Sequence, residues 1–165
     1  MGNKLLISRY IIGLVLVVFY QIIIAPRVSL FGYQADLAII FTVWIGLIHG
    51  PKSGAYFGFL AGFAVSVLTP SELGWTGLLL LLVGYIVGTV GNKLEIDPIP
   101  IKGLILLISA FAFNVFQLLF TKFELVLLNP VFVLYSTLFP AILSALAGVI
   151  IFYIIRYRFV IKDLF

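Results

Sequence analysis

Long apolar runs make up most of the chain, separated by short breaks that contain polar residues, proline or glycine. The runs predict helices over residues 5–25, 33–49, 53–69, 74–91, 101–121 and 131–155. A bilayer core of ~30 Å needs roughly 20 helical residues, each rising about 1.5 Å. We therefore predict an all-α integral membrane protein, a bundle of six transmembrane helices. No stretch is long or polar enough for a second domain, so residues 1–165 are interpreted as a single transmembrane domain.

The composition requires much of this protein's surface to face lipid. Of the 165 residues, 64% are hydrophobic and 10% are charged, whereas about a quarter of a soluble domain is charged. A small domain buries the smallest share of its surface, so this apolar surface cannot all be hidden in the chain's own core. The absence of cysteine also excludes disulfides and thiolate metal sites.

The second and third apolar runs are short, and two arrangements suit them. They can be tilted or lengthened helices that still cross the bilayer, or they can form a re-entrant hairpin. The hairpin would place His49 and Lys52 deep in the membrane, at a cost of at least ~2.5 kcal/mol for the lysine. We favour the spanning arrangement.

The first apolar run follows Lys4 and Arg9, as the apolar run of a signal peptide follows its basic residues. No small-x-small cleavage site follows it before Pro26. We therefore interpret this run as a retained first helix.

Lysine and arginine are unevenly divided between the two sides of the predicted bundle. One side holds eight of them: Lys4, Arg9, Lys52, Lys93, Lys102, Arg156, Arg158 and Lys162. The other side holds only Arg27 and Lys122. Because cytoplasmic loops carry the excess of Lys and Arg, this bias predicts that both termini are cytoplasmic, and it favours an even number of spans.

The ionisable residues do not suggest catalysis or ion transport. No acidic residue falls in the middle of a predicted span, whereas proton and ion pathways are marked by ionisable residues there. A single histidine, His49, excludes a multi-histidine metal site, and no nucleophilic catalytic set can be assembled. We predict neither an enzyme nor a cofactor site. The basic residues sit at the ends of apolar runs, so no nucleic-acid partner is predicted.

Glycines recur at helical spacing in the third and fourth predicted helices. Gly54, Gly58 and Gly62 lie on one face, and Gly84 and Gly88 do so on the next helix. Small residues at this spacing let helix backbones approach closely in lipid. These five glycines are therefore candidates either for packing within the bundle or for an interface with a partner's transmembrane helix or a second copy of the chain.

Three polar residues are candidate contact groups. Asp36 begins the second predicted helix on the outer side, where a carboxylate is stabilised by the helix dipole or contacts a partner or polar ligand. Asn114 and Gln117 share a face of the fifth helix. Because amide groups are costly in hydrocarbon unless hydrogen-bonded, that face should point into the protein, toward neighbouring helices or a ligand.

Several stretches resemble the MreD family of bacterial rod shape-determining proteins. They are ADL at 35–37, HGPKSGA at 49–55, GFLAG at 58–62, LGWTG at 73–77 and LLLLLVGYIVG at 78–88. Size, six spans and cytoplasmic termini also agree. The sequence departs from the family pattern at Ala35, where proline is frequent, at Ser66, where an acid is common, and at Thr76, where asparagine is often found.

The resemblance implies a non-enzymatic membrane scaffold of the cell-elongation machinery in the bacterial plasma membrane. Such a scaffold binds MreC, a bitopic protein, and helps link cytoplasmic MreB to RodA and its penicillin-binding transpeptidase. The glycine faces of helices 3 and 4 are then expected to receive the MreC helix.

The same resemblance implies an S-component-like fold, which supplies the alternative of a small-molecule-binding transporter subunit. That subunit would need an outer polar pocket, reached by Asp36, Glu72, Asn114 or Gln117.

Overall fold

The described residues form six α-helices. The structure is a computed structural model, and it describes residues 2–24, 27, 33–67, 74–94, 98–121, 123 and 130–162. The helices are α1 (Gly2–Phe19, continued by a π-helical segment, Tyr20–Ile24), α2 (Leu37–His49), α3 (Pro51–Ser66), α4 (Trp75–Leu94), α5 (Ile99–Thr121) and α6 (Pro130–Lys162). The predicted all-α class is confirmed for these residues.

Local chemistry sets the boundaries of α2 and α3. The Asp36 carboxylate accepts a hydrogen bond from the Ala38 N–H at 2.8 Å, so α2 begins at Leu37 and not at the predicted residue 33. Gly50 then turns the chain with a φ of 84°, a conformation that favours glycine. Pro51 occupies the first turn of α3, where its missing N–H costs nothing. A single residue therefore separates the two helices.

Helix α2 is the centre of the bundle, because each of the other five helices packs against it. Its residues from Ala38 to Gly46 are mostly buried. Helices α3 and α4 form the closest pair, α5 and α6 form a second pair, and α1 lies mainly against α3. An edge-to-face contact between Trp75 and Phe120, with ring centroids 4.0 Å apart, joins α4 to α5.

Contacts between the helices give the relative directions of three helix pairs. Gly54 lies opposite Gly84 while Gly62 lies opposite Gly77, so α3 and α4 are antiparallel. In the other pair Gly103 meets Val149 and Asn114 meets Thr137, so α5 and α6 are antiparallel as well. The Asp36–Ser144 and Ile40–Gly148 contacts make α2 and α6 parallel.

Among the described residues, three helical stretches are long and apolar enough to cross a membrane. They are Trp75–Lys93, Ile99–Thr121 and Val131–Ile154. The stretches Ile11–Ile24 and Leu37–His49 are apolar but shorter. Many large apolar side chains on the outside of the bundle are exposed, which fits a lipid environment better than water.

Candidate functional site

The two glycine rows predicted from the sequence face one another. A Cβ atom placed on Gly54 would lie 2.5 Å from the Gly84 carbonyl oxygen, and one on Gly62 would lie 2.6 Å from the Gly77 Cα. A Cβ on Gly58 would overlap the Leu80 carbonyl oxygen, and one on Gly84 would overlap that of Gly54. The backbones of α3 and α4 are therefore in direct contact, and no side chain lies between them at these levels.

Helix α2 completes this close-packed unit. A Cβ on Gly46 would lie 3.0 Å from the Gly84 carbonyl oxygen of α4, while one on Gly88 would lie 2.5 Å from the Cα of Pro51, the first residue of α3. Farther along, a Cβ on Gly91 would lie 3.1 Å from the Leu47 Cδ2. We call α2, α3 and α4 the glycine core. Sequence reasoning missed Gly46, although it is the only glycine within α2, an otherwise apolar helix.

The glycine faces of α3 and α4 are thus occupied within the chain. Gly54, Gly58, Gly62, Gly84 and Gly88 each meet the backbone of a neighbouring helix of the same molecule. A partner's helix cannot lie on the same faces while these contacts persist. Any partner must instead approach outward faces of the helices.

Asp36 links α2 to α6. Besides capping α2 through its carboxylate, it donates its backbone N–H to the Ser144 hydroxyl oxygen at 2.9 Å. Ser144 is buried. The Tyr20 phenol, in the π-helical segment of α1, lies within electrostatic range of the Asp36 carboxylate. The end of α1, the start of α2 and the middle of α6 therefore meet at Asp36, and no sequence pattern predicts these partners.

Asn114 links α5 to α6, as its polar character in an apolar helix led us to expect. Its side-chain amide donates to the Thr137 carbonyl oxygen at 3.1 Å. The Thr137 hydroxyl is itself satisfied by the Val133 carbonyl at 2.8 Å. Asn114 donates one residue beyond Ser136, whose carbonyl loses its usual N–H donor because Pro140 has none.

The structure does not bring the candidate polar residues together into one pocket. Asp36 and Asn114 contact α6 at Ser144 and Thr137, which are seven residues and therefore about 10 Å apart along the helix. Gln117 lies one turn beyond Asn114, and its backbone carbonyl oxygen accepts a hydrogen bond from the Thr121 hydroxyl at 2.8 Å. Glu72, the remaining candidate for a polar pocket, lies outside the described residues.

Ser66 and Thr76, the second and third departures from the MreD pattern, both lie close to Gly62. Ser66 is buried, and its hydroxyl donates to the Gly62 carbonyl oxygen at 2.6 Å. Thr76 is also buried, and its carbonyl oxygen lies 2.8 Å from where a Cβ on Gly62 would be. Both positions therefore belong to the contact between α3 and α4.

The described residues include no group of three His, Cys, Asp or Glu side chains that could hold a metal ion. The polar side chains described above instead make hydrogen bonds within and between helices. Comparisons with protein-family models, with curated proteins and with solved structures find no match for this chain.

Proposed function

We propose that this protein is a non-enzymatic membrane scaffold of the bacterial cell-elongation machinery. In this proposal it binds MreC and helps link cytoplasmic MreB to RodA and its penicillin-binding transpeptidase, as the resemblance to MreD implies. The protein lies in the plasma membrane, with six spans, an S-component-like arrangement and both termini in the cytoplasm.

One observation carries the proposal. The stretches that resemble MreD, above all 49–55 and 78–88, supply the glycines through which α2, α3 and α4 contact one another. Backbone contacts of this kind cannot relax by side-chain rotation, so they favour a single rigid arrangement of three helices. A rigid unit with apolar outer faces is what a protein that holds other membrane proteins together requires.

The distribution of charge supports the proposed topology. Gly50 lies against the Asn92 side chain, so the turn between α2 and α3 and the end of α4 lie at the same level. Lys52 and Lys93 therefore share one side, the side that the count of Lys and Arg makes cytoplasmic. Helices α2 and α3, about 20 and 24 Å long from 13 and 16 residues, are short for a ~30 Å core. Local thinning of the bilayer would accommodate them.

The transporter-subunit alternative finds less support. It needs free polar groups that converge on a ligand, whereas the Asp36 N–H and the Asn114 amide are both hydrogen-bonded to α6. Groups already satisfied within the bundle would have to break those bonds before they could bind a ligand.

The test is co-expression with tagged MreC, followed by detergent extraction, affinity purification and size-exclusion chromatography. We expect this chain to co-elute with MreC at a fixed ratio, and an unrelated tagged protein with one transmembrane helix serves as the control. Elution of the folded chain away from MreC would count against the scaffold. Native mass spectrometry would then search for a bound small molecule.

A further inference from the structure

The two parts of α6 on either side of Pro140 are packed very differently. Between residues 131 and 139, Thr137 alone is buried. Between residues 141 and 152, the buried residues are Ala141, Ser144, Ala145, Gly148 and Phe152. We call residues 131–139 the α6 arm. Because few buried contacts mark the parts of a structure that move most easily, the arm is held less firmly than the rest of α6.

The neighbouring end of α5 does not anchor the arm through buried side chains either. The buried residues of α5 are Gly103, Leu106, Ala110 and Phe113, whereas none of residues 114–121 is buried. Helices α5 and α6 are antiparallel, and Asn114 contacts Thr137, so this unburied end of α5 lies beside the arm. A movement of the arm would therefore uncover little of the buried core.

The backbone of α6 is weakest where its two parts join. Pro140 has no N–H, so the Ser136 carbonyl loses its usual donor, and the proline ring crowds that carbonyl. The hydroxyls of Ser136 and Thr137 donate to the Val133 carbonyl oxygen at 3.1 and 2.8 Å. Hydroxyl bonds of this kind often bend helices, and sharp kinks are typically found at proline. Both features weaken the same stretch, residues 133–140.

Asn114 makes the first of two contacts that hold the arm in position. Its side-chain amide donates to the Thr137 carbonyl oxygen at 3.1 Å, and this bond joins α5 to the arm. A single hydrogen bond between membrane helices contributes a modest free energy, so it can break and form again. Asn114 is therefore suited to be a latch and not a permanent anchor.

The segment before α2 makes the second contact. The Tyr33 ring lies against the Phe139 ring of the arm, with centroids 5.5 Å apart. Three residues later, the Asp36 N–H donates to the Ser144 hydroxyl oxygen, which lies after Pro140 in α6. The two contacts are thus on opposite sides of the proline. The arm can leave Tyr33 while the bond between Asp36 and Ser144 stays in place.

We propose that Pro140 is a hinge, about which the α6 arm swings away from Asn114 and Tyr33 while the rest of α6 stays packed in the core. Such an arm lets one end of the bundle adjust to its surroundings without disturbing the glycine core. A bend of about 20° moves Val131, which is nine residues and about 14 Å from Pro140, by about 5 Å. The hinge involves this chain alone and does not depend on the proposed function.

Distances between pairs of spin labels, measured by double electron–electron resonance, test the hinge. The chain contains no cysteine, so the labels attach only to introduced cysteines. One pair joins the arm to the glycine core, from Val131→Cys to Leu60→Cys on α3. The matched pair joins the rest of α6 to the same site, from Leu146→Cys to Leu60→Cys. All three side chains are exposed, so the labels do not disturb the buried core.

Asn114→Leu removes the first latch and should populate a displaced distance in the Val131–Leu60 pair, shifted by about 5 Å. Because a hydrogen bond between membrane helices is lost, the ratio of displaced to latched molecules should rise about three- to fifteenfold. The Leu146–Leu60 distance should not change. Addition of Pro140→Ala, which restores the missing N–H, should remove the displaced distance.

Tyr33→Ala releases the second latch, leaves the bond from α5 intact and should raise the same displaced population. Thr121→Val, at the end of α5, leaves both latches intact and should match the unsubstituted chain. The absence of a displaced distance in both latch variants would overturn the hinge, and so would equal shifts in the Val131 and Leu146 pairs. Persistence of the displaced distance with Pro140→Ala would also overturn it, because the movement would then be fraying at the start of α6.

Discussion

The two closely packed parts of the bundle are held together in different ways. In the glycine core, the backbones of α3 and α4 touch at Gly54, Gly58 and Gly84. Between α5 and α6, glycines instead meet side chains: a Cβ on Gly103 would lie 2.6 Å from the Val149 Cγ2, and one on Gly148 would overlap the Leu106 Cδ2. The first contact is backbone on backbone, and the second is side chain on backbone.

This difference predicts which part of the molecule tolerates change. A side chain can turn or shift to admit an added methyl group, whereas two backbones in contact can separate only if whole helices move. The α5–α6 pair is also joined by the Asn114–Thr137 hydrogen bond, whereas α3 and α4 are joined by contacts between their backbones. The glycine core is therefore expected to be the rigid part and α5–α6 the adaptable part.

The largest effect is expected from Gly58→Leu, because even the first carbon of the new side chain would overlap the Leu80 carbonyl oxygen. The loss of stability should reach or exceed the ~3 kcal/mol at the upper end of overpacking. The substitution should leave membrane insertion intact. The measurements are the size-exclusion profile of the extracted protein and the membrane-bound fraction. A monodisperse profile equal to that of the unsubstituted chain would contradict backbone contact.

A smaller effect is expected where the glycine core meets α6. Asp36→Ala removes the cap of α2 and should lower the free energy of unfolding by ~1 kcal/mol. Asp36→Asn keeps an oxygen that can accept a hydrogen bond from the Ala38 N–H, so it should lower that free energy by less. Unfolding in mixed micelles, followed by circular dichroism, gives both values. If alanine and asparagine destabilise the protein equally, the carboxylate does not act as a cap.

Between α5 and α6, Asn114→Leu should lower the free energy of unfolding by ~1 kcal/mol, because the hydrogen bond to the Thr137 carbonyl is lost. The control is Thr121→Val on the same helix, whose exposed hydroxyl bonds only within α5 to the Gln117 carbonyl. The same unfolding assay compares the two variants. A stability of Asn114→Leu as high as that of Thr121→Val would show that the hydrogen bond between α5 and α6 contributes nothing.

The smallest effect is expected from Thr121→Val itself, at about 0.5 kcal/mol or less, since surface substitutions away from special features change little. Its unfolding midpoint should match that of the unsubstituted chain. A large loss of stability would indicate that the end of α5 contributes more to the pair than its exposure suggests.

The sequence could predict the helices and the faces of the glycine rows, because both follow from periodicity along one segment. Spacing of four residues places Gly54, Gly58 and Gly62 on one face whatever that face touches. It could not predict what each face meets, because that depends on how separate helices are arranged. From sequence alone, the face formed by Gly54, Gly58 and Gly62 can therefore meet either another helix of the chain or another protein.

The polar contacts show the same limit. Asn114 was expected to point inward because a lone amide in an apolar helix requires a partner, but the Thr137 backbone carbonyl that accepts it carries no sequence signal. Ser144 was missed for a related reason, since a small hydroxyl is common inside membrane helices. The late start of α2 reflects Asp36, whose capping bond depends on local backbone geometry and not on hydrophobicity.

If the glycine core is packed backbone on backbone, two variants that each add one methyl group, one inside that core and one outside it, should differ in stability. Gly84→Ala and Gly103→Ala each add a single methyl group to a glycine within a helix, and each gains the same ~1 kcal/mol of helix propensity. The added atom would overlap the Gly54 carbonyl oxygen in the first and would meet only the Val149 methyl in the second. The measurement is the free energy of unfolding of both variants in the same mixed micelles. Gly84→Ala should be less stable than Gly103→Ala by ~2 kcal/mol or more, and equal stability would contradict backbone contact in the glycine core.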